Sequence, residues 1–153
     1  MPRYVPTPVD DPVARELLEE YFTSRELGFT GGVYRRYSPD PAAFTPPTGI
    51  FLVVYDEDDV PAGCGGVRML SADRGEIKHL WMRDAFRGRG WGRTLLTEIE
   101  ARAFGLGARV VVLDTNATLE AAQSLYRSSG YDDIEPYNDN ANATHWFGKD
   151  LSP

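Results

Sequence analysis

Apolar residues recur along this chain with two periods, and the switches between them lay out its elements. From Asp11 to Leu27 the period is helical: Val13, Leu17, Leu18 and Phe22 share a face, Asp10 or Asp11 can cap the helix, and Pro12 suits its first turn. Arg3–Pro6 reads as a short strand before it. The apolar runs on either side of the acidic turn 56–60 predict a hairpin, and Gly75–Met82 a further strand. Alternation in that strand puts Ile77, His79 and Trp81 on one face and Glu76, Lys78, Leu80 and Met82 on the other. Helical spacing returns from Trp91 to Phe104 through Leu95, Leu96, Ile99 and Ala103, and Gly105 and Gly107 end it. The β-branched run in 109–115 predicts a strand covered on both faces. Residues 116–131 predict a helix that stops at Gly130, and 144–151 a last strand. Between 27 and 48, Gly and Pro dominate. This predicts a long loop of the kind that often serves as a lid, with a short helix at 40–44. The order β-α-loop-β-β-β-α-β-α-β-β predicts an α/β fold with a mixed sheet.

Composition narrows the picture. A chain of 153 residues with 42% hydrophobic and 25% charged residues predicts one globular domain over 1–153. The longest apolar run, 50–55, is too short to cross a bilayer, and the first residues lack the apolar segment of a secretory signal. Cys64, the single cysteine, is expected to be a small buried strand residue. These features predict a cytoplasmic protein with no membrane partner. A net charge of -7 argues against nucleic-acid binding. Two histidines and one cysteine, far apart in sequence, suggest no metal site.

Against that acidity one stretch stands out. Between the strand at 75–82 and the helix at 91–104 the chain places Arg83, Arg87, Arg89 and Arg93 together with Gly88, Gly90 and Gly92. The first N–H groups of a helix lack intrahelical acceptors, and its dipole adds positive charge there. Glycines clear the approach and permit backbone angles closed to other residues. Arginine forks match phosphate oxygens. The stretch therefore predicts a ligand carrying a pyrophosphate or several phosphates; the alternative is a plain turn with solvated arginines. Neither a P-loop nor a Rossmann fingerprint fits, because the spacing is Gly-x-Gly-x-Gly after the fourth strand.

Arg87-Gly88-Arg89-Gly90-Trp91-Gly92 resembles the Arg/Gln-x-x-Gly-x-Gly/Ala signature of the GCN5-related N-acetyltransferases (GNAT). Ala121–Tyr131 is similar to the Ala-x-x-Leu-Tyr-x-x-x-Gly-Phe segment of that family, and the likeness extends over about 75–151. The resemblance implies a twisted, mostly antiparallel sheet of six to seven strands, about four flanking helices, and splayed fourth and fifth strands. It implies acetyl-CoA as co-substrate. Main-chain N–H groups of Gly88, Arg89, Gly90, Trp91, Gly92 and Arg93 would hold its pyrophosphate. Backbone groups of Leu80, Trp81 and Met82 would pair with the pantetheine as if it were an added strand. Asn116 would lie near the same arm.

Acyl transfer to an amine needs a base for the ammonium, whose pKa is near ~10.4, a donor for the oxyanion, and a proton for the leaving thiolate. The resemblance assigns Tyr126 as the acid and Glu76 as the base, with the N–H of Met82 toward the oxyanion. By spacing alone Tyr126 reads as a packed aromatic and Glu76 as a paired strand carboxylate. His79 is an alternative base. Tyr137, Asn138, Asp139, His145 and Trp146 fall near the presumed acceptor side, and Glu19, Glu20, Asp40 or Asp139 could hold a cationic substrate. The reading is direct acetyl transfer to a small-molecule primary amine, with a homodimer as one assembly. A protein or peptide acceptor, and a non-catalytic acyl-CoA sensor, remain alternatives.

Overall fold

The most apolar run in the chain sits where both faces of a sheet are covered. In the computed structural model, which describes residues 1–30, 32–116 and 119–152, strand β2 (Gly49–Tyr55) shields Phe51, Leu52, Val53 and Val54 fully from solvent. β1 (Arg3–Pro6) and β3 (Pro61–Met69) flank it, both antiparallel. β4 (Arg74–Met82) follows antiparallel to β3, and β5 (Val110–Thr115) lies parallel to β4. β7 (His145–Asp150) and β6 (Asp132–Asp133) complete the far side. Among the described residues this is one seven-stranded sheet in the order β1-β2-β3-β4-β5-β7-β6.

Three α-helices and one 3-10 turn, Asp84–Phe86, accompany the sheet among the described residues. Asp11 caps α1 (Pro12–Gly28), its carboxylate accepting from the N–H of Val13 at 2.9 Å and of Ala14 at 3.4 Å. The face Ala14, Leu17, Leu18 and Phe22 packs on Phe51, Val53 and Cys64. On the other side of the sheet, Leu95, Leu96, Ile99 and Ala103 of α2 (Trp91–Gly105) pack on Leu52, Val67 and Ile77, with Tyr126 of α3 (Glu120–Ser128) in the same cluster. Each large side chain buried in these layers contributes about 1.5–3 kcal/mol. Together they hold the sheet rigid where it carries the site.

Two local expectations are corrected. Residues 41–44 form turns and no helix: the N–H groups of Ala43 and Phe44 reach the carbonyls of Asp40 and Pro41 at 3.0 and 3.3 Å. Pro46 and Pro47 then lack the N–H groups that further helical turns need. The second correction is the facing of β4. Cys64 pairs with Trp81 but Gly66 with Lys78, so β4 holds one extra residue, and His79 there has φ 62°. This bulge shifts the alternation. Ile77 joins Leu80 and Met82 on the α2 side, while His79 and Trp81 lie on the α1 side.

The bulge also bends β4 away from its parallel neighbour. Pairing with β5 covers only Arg74–Glu76 against Val110–Val112, although β4 runs on to Met82 and β5 to Thr115. The splay expected between the fourth and fifth strands begins there.

Candidate functional site

Where β4 and β5 part, a cleft of about 730 Å³ opens between the end of β4, the turn before α2 and the start of α3. Leu80, Trp81 and Met82 line one side, Gly88, Gly90 and Gly92 the end, and Ala122 and Leu125 the other side. Gly90 caps α2 in the left-handed region, at φ 77° and ψ 9°, and Gly88 has φ 79°. A Cβ on either would point into open space, so backbone conformation demands glycine there and the space stays clear. No side chain caps α2. The backbone N–H groups from Gly88 to Arg93 form no hydrogen bond among the described residues. With the helix dipole behind them, they are unengaged donors for an anion.

The four arginines serve different ends. Arg83 turns away: its guanidinium donates to Glu20 at 2.7 and 2.9 Å, to Glu16 at 2.9 Å and to the carbonyl of Pro61 at 3.1 Å. The indole of Trp81 donates to the same Glu20 at 3.2 Å, and the Arg83 guanidinium holds that carboxyl below the usual range. This network fixes the end of β4 to α1. Arg87 donates to the carbonyl of Met82 at 2.9 Å and pairs with Asp84 at 2.7 Å. Arg93 donates to the hydroxyls of Ser128 and Ser129 at 2.7 and 3.0 Å, which ties α2 to the end of α3. Arg87, Trp91 and Arg93 border the cleft. Arg89 does not border it, and its guanidinium lies over the rings of Phe86 and Trp91 at 5.1 and 5.3 Å.

A smaller chamber of about 80 Å³ adjoins the cleft. Arg25, Leu80, Leu119 and Tyr126 line both spaces, so the two meet at these residues. Tyr126 is 7% exposed and stands where the two spaces meet. Burial drives the phenol above its ordinary range, so it keeps its proton at neutral pH. The chamber walls include Tyr21 and Phe22 of α1, Tyr34 of the long loop, Lys78 and His79 of β4, and Asp114 and Asn116 around the end of β5. Asn140 and Asn142 of the β6–β7 loop complete them.

His79 packs edge-on against Tyr21 and Phe22, at 5.4 and 5.6 Å between ring centroids, and its Nδ1 is buried without a partner. Burial lowers its pKa to about 3, with the charges of Lys78, Arg68 and Arg25 adding to the effect. At neutral pH His79 is an uncharged wall and a poor base. Asp114 accepts from the Asn138 amide at 2.7 Å, and the amide oxygen of Asn138 accepts from the Trp146 indole at 2.9 Å. The Asn142 side chain pairs with the backbone of Arg35 in both directions, at 3.1 and 2.6 Å. Its carbonyl accepts from the Asn116 amide at 2.9 Å. That clamp fastens the long loop to the β6–β7 loop at the chamber.

Glu76 stands apart. It is 1% exposed and borders neither space. One oxygen accepts from Arg68 at 2.8 Å and the other from the Tyr137 hydroxyl at 2.6 Å. Tyr137, Asn138 and Trp146 thus support other side chains, while His145 contacts Thr144 at 2.9 Å and borders neither space. The acidic residues considered for a cationic substrate are also elsewhere: Glu19 pairs with Arg36, Glu20 with Arg83, Asp40 caps the N–H of Ala42, and Asp139 borders neither space. Asn116 lies in the chamber and not in the cleft. Cys64 is buried as expected, and burial pushes its thiol up.

Sequence reasoning missed Asp114 and Arg25. Asp114 carried a signal, an acid at the end of an otherwise apolar strand. Arg25 carried none, since a cation in the last turn of a helix is explained by the helix dipole. Among the described residues no group of three or more His, Cys, Asp or Glu could hold a metal ion, and no helix is long and apolar enough to cross a membrane.

A sequence model of the acetyltransferase (GNAT) family matches residues 13–131. An uncharacterised N-acetyltransferase of Schizosaccharomyces pombe is 39% identical over 98 residues, 63% of this chain and 60% of that protein. The chain thus aligns to less than two thirds of that relative's length. An IAA acetyltransferase of Azospirillum brasilense is 30% identical over 86% of this chain and 84% of its own. Among solved structures, a GNAT family acetyltransferase of Elizabethkingia anophelis with acetyl-CoA bound superposes with a TM-score of 0.71. It is 16% identical and covers 98% of both chains, a likeness of fold.

Proposed function

The chain belongs to the acetyltransferase (GNAT) family, and on that footing we propose that it transfers an acetyl group from acetyl-CoA directly to the primary amine of a small molecule. The observation that carries this reading is the meeting of a long cleft and a small chamber at Tyr126. The cleft suits the donor. Its unengaged N–H groups from Gly88 to Arg93 match a diphosphate, and the unpaired edge of β4 at Leu80, Trp81 and Met82 matches the pantetheine amides. Bound there, acetyl-CoA supplies an activated thioester carbonyl. The chamber then holds the amine.

Each proton has a named place in this proposal. Asp114 is the carboxylate that faces the chamber, so it takes the proton of the ammonium, directly or through one water. The Tyr126 hydroxyl, at the junction, gives its proton to the departing sulfur. The N–H of Met82 faces the oxyanion. Glu76, with both oxygens engaged, holds Arg68 and Tyr137 in position, and the geometry favours Asp114 over it as base. A buried, protonated Cys64 leaves the transfer without an acetyl-enzyme step.

The test is thiol release from acetyl-CoA over a panel of amino acids, polyamines, aminoglycosides and peptides. Tyr126→Phe and Asp114→Asn are each expected to lower kcat by about 10²-fold. Glu76→Gln is expected to lower the Tm while leaving kcat nearly unchanged, because it removes the charge of a buried carboxylate that meets the half-exposed Arg68. Peptides surpassing free amines in kcat/KM would move the acceptor to proteins. Uptake of acetyl-CoA with no thiol release over the whole panel would make the chain a sensor.

A further inference from the structure

One cation at the junction is unexplained by the donor site or by the fold. Arg25 lines both the cleft and the chamber. Two nearby guanidinium groups are matched: Arg36 of the loop pairs with Glu19 and Glu26, and Arg83 after β4 meets Glu16 and Glu20. Arg25 forms no ion pair among the described residues, and its guanidinium lies over the Tyr21 ring at 4.7 Å. Tyr21, Tyr34 and Tyr126 line the chamber together with Arg25; burial raises all three phenols, and the charge of Arg25 opposes that shift in each. Lys78, the other cation of the chamber, has the Glu76 carboxylate 3.9 Å away. The helix dipole explains a cation in the last turn of α1 but not one turned into a partly buried aromatic space.

We propose that Arg25 anchors the acceptor and that the acceptor is a small α-amino acid, whose carboxylate meets the guanidinium while its amino group faces Asp114. This rests on the acetyl-transfer reading and deepens it. A guanidinium fork recognises a carboxylate through two parallel hydrogen bonds, and of the acidic side chains only Asp114 belongs to the described lining of the chamber. An α-amino acid carries its opposite charges one carbon apart, as a chamber with one fork and one carboxylate requires. Size agrees: the chamber, at about 80 Å³, is the smaller of the two spaces, which suits an amino acid with a short side chain better than an aminoglycoside or a folded peptide.

The experiment compares L-alanine, L-serine and L-threonine with their carboxamides, on wild type, Arg25→Gln and Arg25→Lys. Two readouts are taken: thiol release from acetyl-CoA, and calorimetric binding to the CoA-loaded protein. Comparing the acid-to-amide ratio between proteins cancels the different basicity of the two amines. The wild type is expected to favour the acids by about 10–10²-fold, the range for hydrogen bonds between charged groups. Arg25→Gln removes that preference through the acceptor's KM and not that of acetyl-CoA, and Arg25→Lys restores part of it. Equal use of acids and amides by the wild type overturns the assignment while leaving acetyl transfer intact. A rise in the KM of acetyl-CoA with the ratio unchanged overturns it too, since Arg25 would then serve the donor. Arg25-dependent binding of the acids without thiol release supports the anchor and sinks the transfer reading. If no acid or amide binds or reacts, the anchor falls, and acetyl transfer is decided by thiol release with the polyamines, aminoglycosides and peptides.

Discussion

The cleft and the chamber share four residues but are built on opposite plans. The cleft is a main-chain site: open glycines at 88 and 90, unengaged N–H groups at the start of α2, and the free edge of β4. The chamber is a side-chain site, assembled by α1, the long loop, β4, β5 and the β6–β7 loop. A main-chain site recognises a constant ligand and tolerates drift in side chains. A side-chain site can change its ligand with a few substitutions while the sheet stays as it is. A conserved donor and a variable acceptor call for these two plans respectively.

The contrast can be broken from either side. The largest effect is expected from Gly90→Val, which forces a β-branched residue to φ 77° and puts methyl groups into the open cradle. The KM for acetyl-CoA should rise by about 10²-fold and that of the acceptor by less than about three-fold. Equal rises in both would show that the two spaces act as one. Next comes Asn142→Ala, which removes both side-chain hydrogen bonds to Arg35 and so cuts the clamp between the two loops, while the carbonyl that Asn116 meets remains. Loss of these two exposed hydrogen bonds should raise the acceptor's KM by about ten-fold, with that of acetyl-CoA unmoved. A change confined to acetyl-CoA would place the clamp on the wrong side.

A last effect concerns stability and leaves the contrast in KM untouched. His79 has its folded pKa near 3, below the ordinary value of 6.5. The unfolded chain therefore binds the proton first, and stability is lost as pH falls from about 6.5 toward 3. At pH 5 the loss amounts to about 2 kcal/mol. His79→Leu removes this contribution. In urea unfolding the difference between variant and wild type should shift in the variant's favour by that amount between pH 7.5 and pH 5. Parallel stability curves would mean that the ring is charged or solvated in the fold.

The same contrast decides what could be read from the sequence. A main-chain site needs glycines and a helix start in one run, so residues 87–93 disclosed it, and the element order followed from periodicity. The chamber draws single residues from positions as distant as Tyr21 and Asn142, and no local pattern links them. The rest depends on contacts that no local pattern shows. One extra residue in β4 reversed the facing of Ile77, and no feature of that stretch marks a bulge. The place of Glu76 on β4 did not disclose that Arg68 and Tyr137 engage its two oxygens. Arg83 belonged to the arginine cluster in sequence, yet Glu16 and Glu20 on α1 claim it.

The short pairing of β4 with β5 has a consequence for solubility. Strands with unmatched backbone groups invite other chains to add themselves, and proteins usually hide or charge such edges at the rim of a sheet. Here the unmatched stretch lies in mid-sheet, with α1 and α3 on either side and β5 close by. A neighbouring molecule's strand would have to enter between these elements, whereas a slender, flexible ligand reaches the edge along the cleft, so the unmatched groups are less open to strand addition than those at a rim.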